Sequence, residues 1–307
     1  MIAIGFDTSN YTTSVAYFDG TNGVNCSQLL PVKQGELGLR QSDAVFSHTK
    51  SLPELSGRLF SHVQNSQIGV VGVSTRPRAV ECSYMPCFMV GYSHAKLLSA
   101  ALQLPLIEVS HQQGHVAAAL WSAGRLDLMD KPHLAWHLSG GTTELLLVEP
   151  EGKNVRCSKI GGTTDISAGQ LIDRTGQLLH LPFPAGKHLD SLSHDAQGRE
   201  VFRVKCPGLE FSLSGVQNKV QQYHQEHQDP SETASYALRC VAAAVLKASQ
   251  NAQKAYPGLE IVFSGGVASN SMLRQVLKPL NPVFAQPQYS TDNAIGVAIL
   301  AHRLLEG

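Results

Sequence analysis

Two segments of the chain share one layout, and that repetition restricts the fold more than any other feature. Residues 2–7 (Ile-Ala-Ile-Gly-Phe-Asp) read as an apolar strand and residues 13–18 as its returning partner, with Asp7-Thr8-Ser9-Asn10-Tyr11-Thr12-Thr13 as the turn between them. Residues 133–138 form a second such strand, Ser139-Gly140-Gly141-Thr142-Thr143 the turn, and residues 144–148 the return. A strand, small-residue turn and strand met twice in one chain point to two related lobes. Between the copies, a buried-strand run over 68–74, a helical pattern over 88–102 and a strand over 104–109 alternate in the α/β manner. Further helices are expected within 48–63 after Pro53, over 234–253, and from Thr291 to Leu305.

The 307 residues suffice for two cored lobes, and 43% hydrophobic with 16% charged residues excludes a disordered chain. No apolar run reaches the length of a membrane span, and Met1–Asp7 lacks the basic and long apolar regions of a signal peptide. Six dispersed cysteines without a C-x-x-C pair suit reduced thiols, so a cytoplasmic protein is expected. A net charge of zero argues against an autonomous, high-affinity nucleic-acid binder.

Chemistry concentrates at Ser110-His111-Gln112-Gln113-Gly114-His115. If this segment is helical, His111 and His115 share a face and can hold one transition metal, with Ser110 as N-cap. The same spacing also suits two partly buried helix histidines, and the chain has 13 His. Gln112 stands where a zincin carries its glutamate base, so a metalloprotease is disfavoured. Asp292 is the best third ligand late in the chain, although spacing alone cannot pair it with His111.

Three small-residue turns end strands. The first carries Asp7 and Ser9, candidate catalytic groups facing a phosphate or a metal bound to one. The second is Ser139-Gly140-Gly141. The third is Gly265-Gly266, where absent side chains permit close backbone approach to a nucleotide. Asp173, inside a helical pattern, can accept both hydroxyls of a ribose, though a solvated helix carboxylate is the commoner case. A nucleotide clasped between two lobes is the economical account.

Taken together these motifs resemble the TsaD family, formerly Gcp or O-sialoglycoprotein endopeptidase. The likeness runs through the Asp-Thr-Ser turn, His-x-x-x-His, Ser139-Gly140-Gly141, Ala168-Gly169 with Asp173, Pro184-Ala185-Gly186, Phe211–Gly215, Gly265–Asn270 and Thr291-Asp292-Asn293. The resemblance implies a two-lobed actin/Hsp70/sugar-kinase-like fold with duplicated RNase H-like lobes. Residues 1–109, completed by a C-terminal helix over 293–307, would form one lobe. Residues 110–292 would form the other, with the metal and nucleotide cleft between lobes. It implies transfer of a threonylcarbamoyl group from threonylcarbamoyl-AMP to N6 of adenosine 37 in tRNA. His111, His115 and Asp292 would hold a divalent metal, iron or zinc. Trp136, His137, Leu138, Ser139 and Gly140 would line a site for an adenine nucleotide (threonylcarbamoyl-AMP, AMP or ATP), with Asp173 on the ribose and Gly186, Gly265, Gly266 and Asn270 nearby. A homologous partner protein in a dimer is expected, tRNA contact is allowed, and no membrane is involved.

The chain departs from the family pattern at polar positions. Tyr11 and Thr12 replace two carboxylates, Thr142 replaces a histidine, Ile166 and Gln170 replace two acids, and Arg76-Pro77-Arg78 replaces Gly-Pro-Gly. These changes mark a divergent paralogue and keep two alternatives open. One is a regulatory paralogue that binds nucleotide, metal and a partner within a tRNA-modification complex. The other is a small-molecule kinase of the same fold.

Overall fold

The computed structural model describes residues 1–9, 11–31, 39–64 and 67–306. Asn10 of the first turn lies outside the described residues. The chain divides into two compact units. One comprises Met1–Lys131, Glu149–Cys157 and Asp292–Gly307, and the other Pro132–Val148 and Ser158–Thr291. Among the described residues, no helix is long and apolar enough to cross a membrane.

In the first unit, β1 (Ile2–Asp7) pairs antiparallel with β2 (Thr12–Phe18), which pairs antiparallel with β3 (Gly23–Leu29). On the other side of β1, β4 (Ile68–Arg76) and β5 (Leu106–Ser110) continue the sheet in parallel, giving the order β3-β2-β1-β4-β5. Side chains alternate across the sheet. Ile4, Phe6, Val71 and Val73 join Leu52, Leu55 and Leu59 of α1 (Gln41–Phe60) and Val90 and Ala95 of α2 (Phe88–Leu102) in one core. Gly5 faces the opposite side, where a Cβ would stand 2.6 Å from the Ala294 carbonyl and the Ala298 nitrogen. The last helix, Ile295–Glu306, packs there, and α3 (His111–Ser122) packs along it through Gly114 and Gly296.

That contact explains where the division falls. A cut at 109/110 was expected from sequence, but α3 lies on the last helix, so residues 110–131 and Asp292 belong to the first unit. Helix α1 also differs from expectation. It begins at Gln41 and carries Pro53 inside. Its Ala44, His48, Leu52, Leu55 and Leu59 are buried at helical spacing, and that tertiary burial outweighs the one N–H that proline removes.

The second unit repeats the motif. β6 (His133–Leu138) and β7 (Thr143–Glu151) pair antiparallel around the glycine turn. With β8 (Asn154–Thr163), β9 (Glu210–Phe211), β10 (Ile261–Ser264) and β11 (Val283–Phe284) the order is β11-β10-β6-β7-β8-β9, the Glu149–Cys157 ends of β7 and β8 counting with the first unit. Five helices pack here: α4 (Ala168–Leu178), α5 (Gly186–Ser193), α6 (Ser214–His227), α7 (Pro230–Ala255) and α8 (Ser271–Leu277). Asp229 caps α7 with Pro230 at its first position, and the buried face of α7 joins Trp136 and Phe263 in the core. The last helix of the chain is α9 (Ile295–Glu306).

Candidate functional site

Strand β5 delivers the histidine pair. Ser110 ends the strand and caps α3: its Oγ accepts from Gln113 N–H while the Gln113 side chain reaches back to Ser110 N–H. This reciprocal capping box fixes the first turn, and with it His111 and His115 one turn apart on a shared face. Their rings stand 4.2 Å apart at 81°, with Nε2 atoms 2.8 Å from one another. Asp292, in the lead-in to α9, brings Oδ1 to 3.2 Å from His115 Nε2 and 3.5 Å from His111 Nε2. The fourth member is Asp7, at the end of β1 and 1% exposed, whose Oδ2 lies 2.7 Å from His111 Nδ1.

The electrostatics follow from this packing. Burial alone would lower the His111 imidazole, but the carboxylates of Asp7 and Asp292 outweigh it and raise it to about 10. Burial and the His111 charge both lower His115. Burial would raise Asp292, yet its bonds to both imidazoles hold it well below the ordinary carboxylate range.

A cation at that point fits the donor set. His111 Nε2, His115 Nε2 and an Asp292 oxygen lie within 4.8 Å of one another. Ligand atoms bound tetrahedrally at 2.0–2.2 Å stand roughly 3.3–3.6 Å apart, against 2.8, 3.2 and 3.5 Å here. The Asp7 carboxylate behind His111 Nδ1 stands where an outer partner fixes the tautomer of a metal-ligating imidazole. Asp7, named from sequence as a catalytic candidate, spends one carboxylate oxygen on His111 Nδ1. It also accepts the Ser9 N–H at 2.7 Å. Ser9 Oγ is buried with no partner among the described residues.

In the second unit the candidate nucleotide residues cluster around backbone. Gly169, at the start of α4, lies so close to Ser139 and Gly140 that a Cβ would collide with them. Gly265, at φ +92°, lies equally close to Leu138. Ser167 Oγ donates to the Gly140 carbonyl at 2.6 Å, and Thr142 N–H donates to Ser139 Oγ at 3.1 Å. Gly140, Gly141 and Gly266 face open space. Trp136 and Leu138 are fully buried, and Trp136 donates from Nε1 to Ser249 Oγ, so only their backbone is available to a ligand. His137 is half-buried. Asp173 accepts the Ala185 N–H at 2.8 Å, which pins the Pro184-Ala185-Gly186 turn; burial raises its carboxyl against that bond. Asn270 caps α8 by accepting the Leu273 N–H.

Sequence reasoning missed two anchors. Asp165 accepts from the hydroxyls of Ser212 and Ser214 and from the Leu213 N–H, holding the start of α6. Burial would raise this carboxyl, but those bonds hold it well below its usual range. Asp190 and Ser271 join α5 to α8, the hydroxyl donating to the carboxylate at 2.8 Å. Sequence separations of 47–81 residues leave no local signal for either.

The family model for TsaD, tRNA N6-adenosine threonylcarbamoyltransferase, matches residues 41–299. The chain belongs to this family. The tRNA N6-adenosine threonylcarbamoyltransferase of Carboxydothermus hydrogenoformans is 29% identical over 325 residues, covering 100% of this chain and 93% of the relative. Full-length HypF in its phosphate- and nucleotide-bound form matches with a TM-score of 0.65 at 15% identity, over 100% of this chain and 47% of HypF. The ROK hexokinase of Thermus thermophilus matches with a TM-score of 0.55 at 14% identity, over 100% of this chain and 99% of the enzyme. These structural likenesses carry the fold alone, which is of the actin/Hsp70/sugar-kinase type. Within the TsaD pattern, one departure has a local explanation. Gln170 replaces an acid but closes the capping box of α4 on Ser167 N–H, a task glutamine and glutamate perform alike. Ile166 packs against the core of the second unit.

Proposed function

We propose that this TsaD-family chain is a metal-dependent carbamoyl-type transferase that moves a threonylcarbamoyl group from threonylcarbamoyl-AMP to N6 of adenosine 37 in tRNA. The observation that carries the proposal is the convergence of His111, His115 and Asp292 with Asp7 behind them. His111, His115 and Asp292 would hold iron or zinc, which the two imidazoles and one carboxylate suit about equally. The ion supplies Lewis-acid polarisation and a template for the donor's oxygens. Asp7 keeps the His111 Nδ1 proton in place, so that Nε2 faces the ion. The open backbone at Gly140, Gly141 and Gly266 gives the adenylate close approach, and Asp173 is the acceptor for its ribose. A related protein of the same fold is the proposed partner, with tRNA as acceptor.

The test is single-turnover formation of threonylcarbamoyladenosine from threonylcarbamoyl-AMP and unmodified tRNA, with protein of measured metal content, with and without the partner proteins of a working system. Product that vanishes with His111→Ala is expected. No product from metal-loaded wild type, beside a working control enzyme, would remove the transferase reading.

A further inference from the structure

The Arg76-Pro77-Arg78 segment is tied to α3 on both sides of His111. Arg76, the last residue of β4, is the register partner of Ser110, one position before His111. The Pro77 carbonyl accepts the Gln112 N–H at 3.0 Å, one position after it. Neighbouring strands run about 4.8 Å apart, and an arginine side chain exceeds that reach. The loop is itself held, since Arg78 N–H donates to Ser83 Oγ at 3.0 Å. Both arginines are exposed. The Arg76 side chain makes no hydrogen bond or ion pair among the described residues. The nearest carboxylates of the centre, Asp7 and Asp292, are already committed to His111 and His115. The Arg76 backbone is thus held next to the first turn of α3, and its exposed guanidinium has no partner among the described residues.

We infer that Arg76, with Arg78 beside it, is a specificity-determining arm that binds a phosphate group of the ligand brought to the His111–His115–Asp292 centre. A guanidinium presents paired N–H donors in a plane that matches two phosphate oxygens, and such charge-assisted bonds are the strong ones. Two arginines two residues apart suit a dianion or a diphosphate better than a single carboxylate. The inference rests on the metal-centre reading for the place where the reacting group sits. Phosphate binding and metal content are measured separately, so either can fail alone.

The probes are inorganic phosphate, pyrophosphate and malonate, titrated calorimetrically into the full chain loaded with zinc and of measured metal content. Expected is pyrophosphate binding tighter than malonate binding. Its Kd should weaken about tenfold in Arg76→Gln and further in Arg76→Gln/Arg78→Gln, with metal content and melting temperature unchanged and partial recovery in Arg76→Lys. A Kd within twofold of wild type in the double variant overturns the inference. So does malonate binding as tightly as pyrophosphate with the same dependence on Arg76, which would make the arm a carboxylate site. Loss of zinc from the wild type would count against the metal centre instead, and pyrophosphate titrations of the zinc-free chain would then decide the arm by the same Arg76→Gln comparison.

Discussion

The first unit brings together converging side chains: two imidazoles and two carboxylates joined by contacts of 2.7–3.5 Å, held by β1, α3 and the lead-in to α9. The second unit presents backbone, with Gly140, Gly141 and Gly266 facing open space and Gly169 and Gly265 pressed against Ser139, Gly140 and Leu138. The two surfaces have opposite vulnerabilities. A polar substitution is expected to disable the first and leave its fold intact. An added methyl group is expected to disable the second, either by blocking the open face or by breaking the close packing beneath it.

The sharpest test of that contrast is Asp292→Ala, expected to lower metal affinity by more than about 100-fold, beyond the roughly 10–100-fold that losing an outer partner costs. Asp7→Asn should fall within that smaller range, because His111 Nδ1 then lacks its charged partner. Metal analysis after dialysis against graded chelator reads both, and equal losses would mean that Asp7 is itself a ligand. In the second unit, Gly265→Ala should cost about 2–4 kcal/mol, combining a left-handed strain with overpacking against Leu138. Gly140→Ala should leave the melting temperature unchanged and weaken AMP binding at least about tenfold. A Gly140→Ala protein that binds AMP normally would show that the open glycines do not approach the nucleotide.

A subtler difference lies in pH. His48 is fully buried on α1, its Nδ1 bonded to Thr13 Oγ1 at 2.8 Å and its Nε2 without a partner among the described residues. Burial lowers it from 6.5 to about 4. The unfolded chain therefore takes up a proton that the folded chain refuses between those values. Stability from this residue is complete above pH 6.5 and is lost as pH falls toward 4, by about 3 kcal/mol in all. Denaturant unfolding of wild type and His48→Gln at pH 7.5 and 4.5 should show the smaller pH dependence in the variant. Parallel losses would assign the acid sensitivity to other groups.

Much of this was legible in the sequence because it is local. The repeated strand pairs, the capping serine at 110 and the i, i+4 histidines are all encoded within a few residues of one another. Asp292 stands 177 residues from His115. No spacing rule joins them, and only family resemblance supplied the pair. Asp7 is marked by its place at a strand end, but nothing local reveals that its carboxylate meets an imidazole 104 residues later. Helix α1 was cut short for a related reason: the packing that tolerates Pro53 comes from the sheet beneath it.

The contact between Gly114 and Gly296 also bears on synthesis. Two missing side chains let α3 and α9 touch along their backbones, so His115 and Asp292 come within reach only once the end of the chain has been made. At about 5–20 residues per second, the ribosome needs roughly 10–35 s to travel from His115 to Asp292. Throughout that interval the nascent chain carries two imidazoles without the Asp292 carboxylate, so two of the three proposed donors are made well before the third.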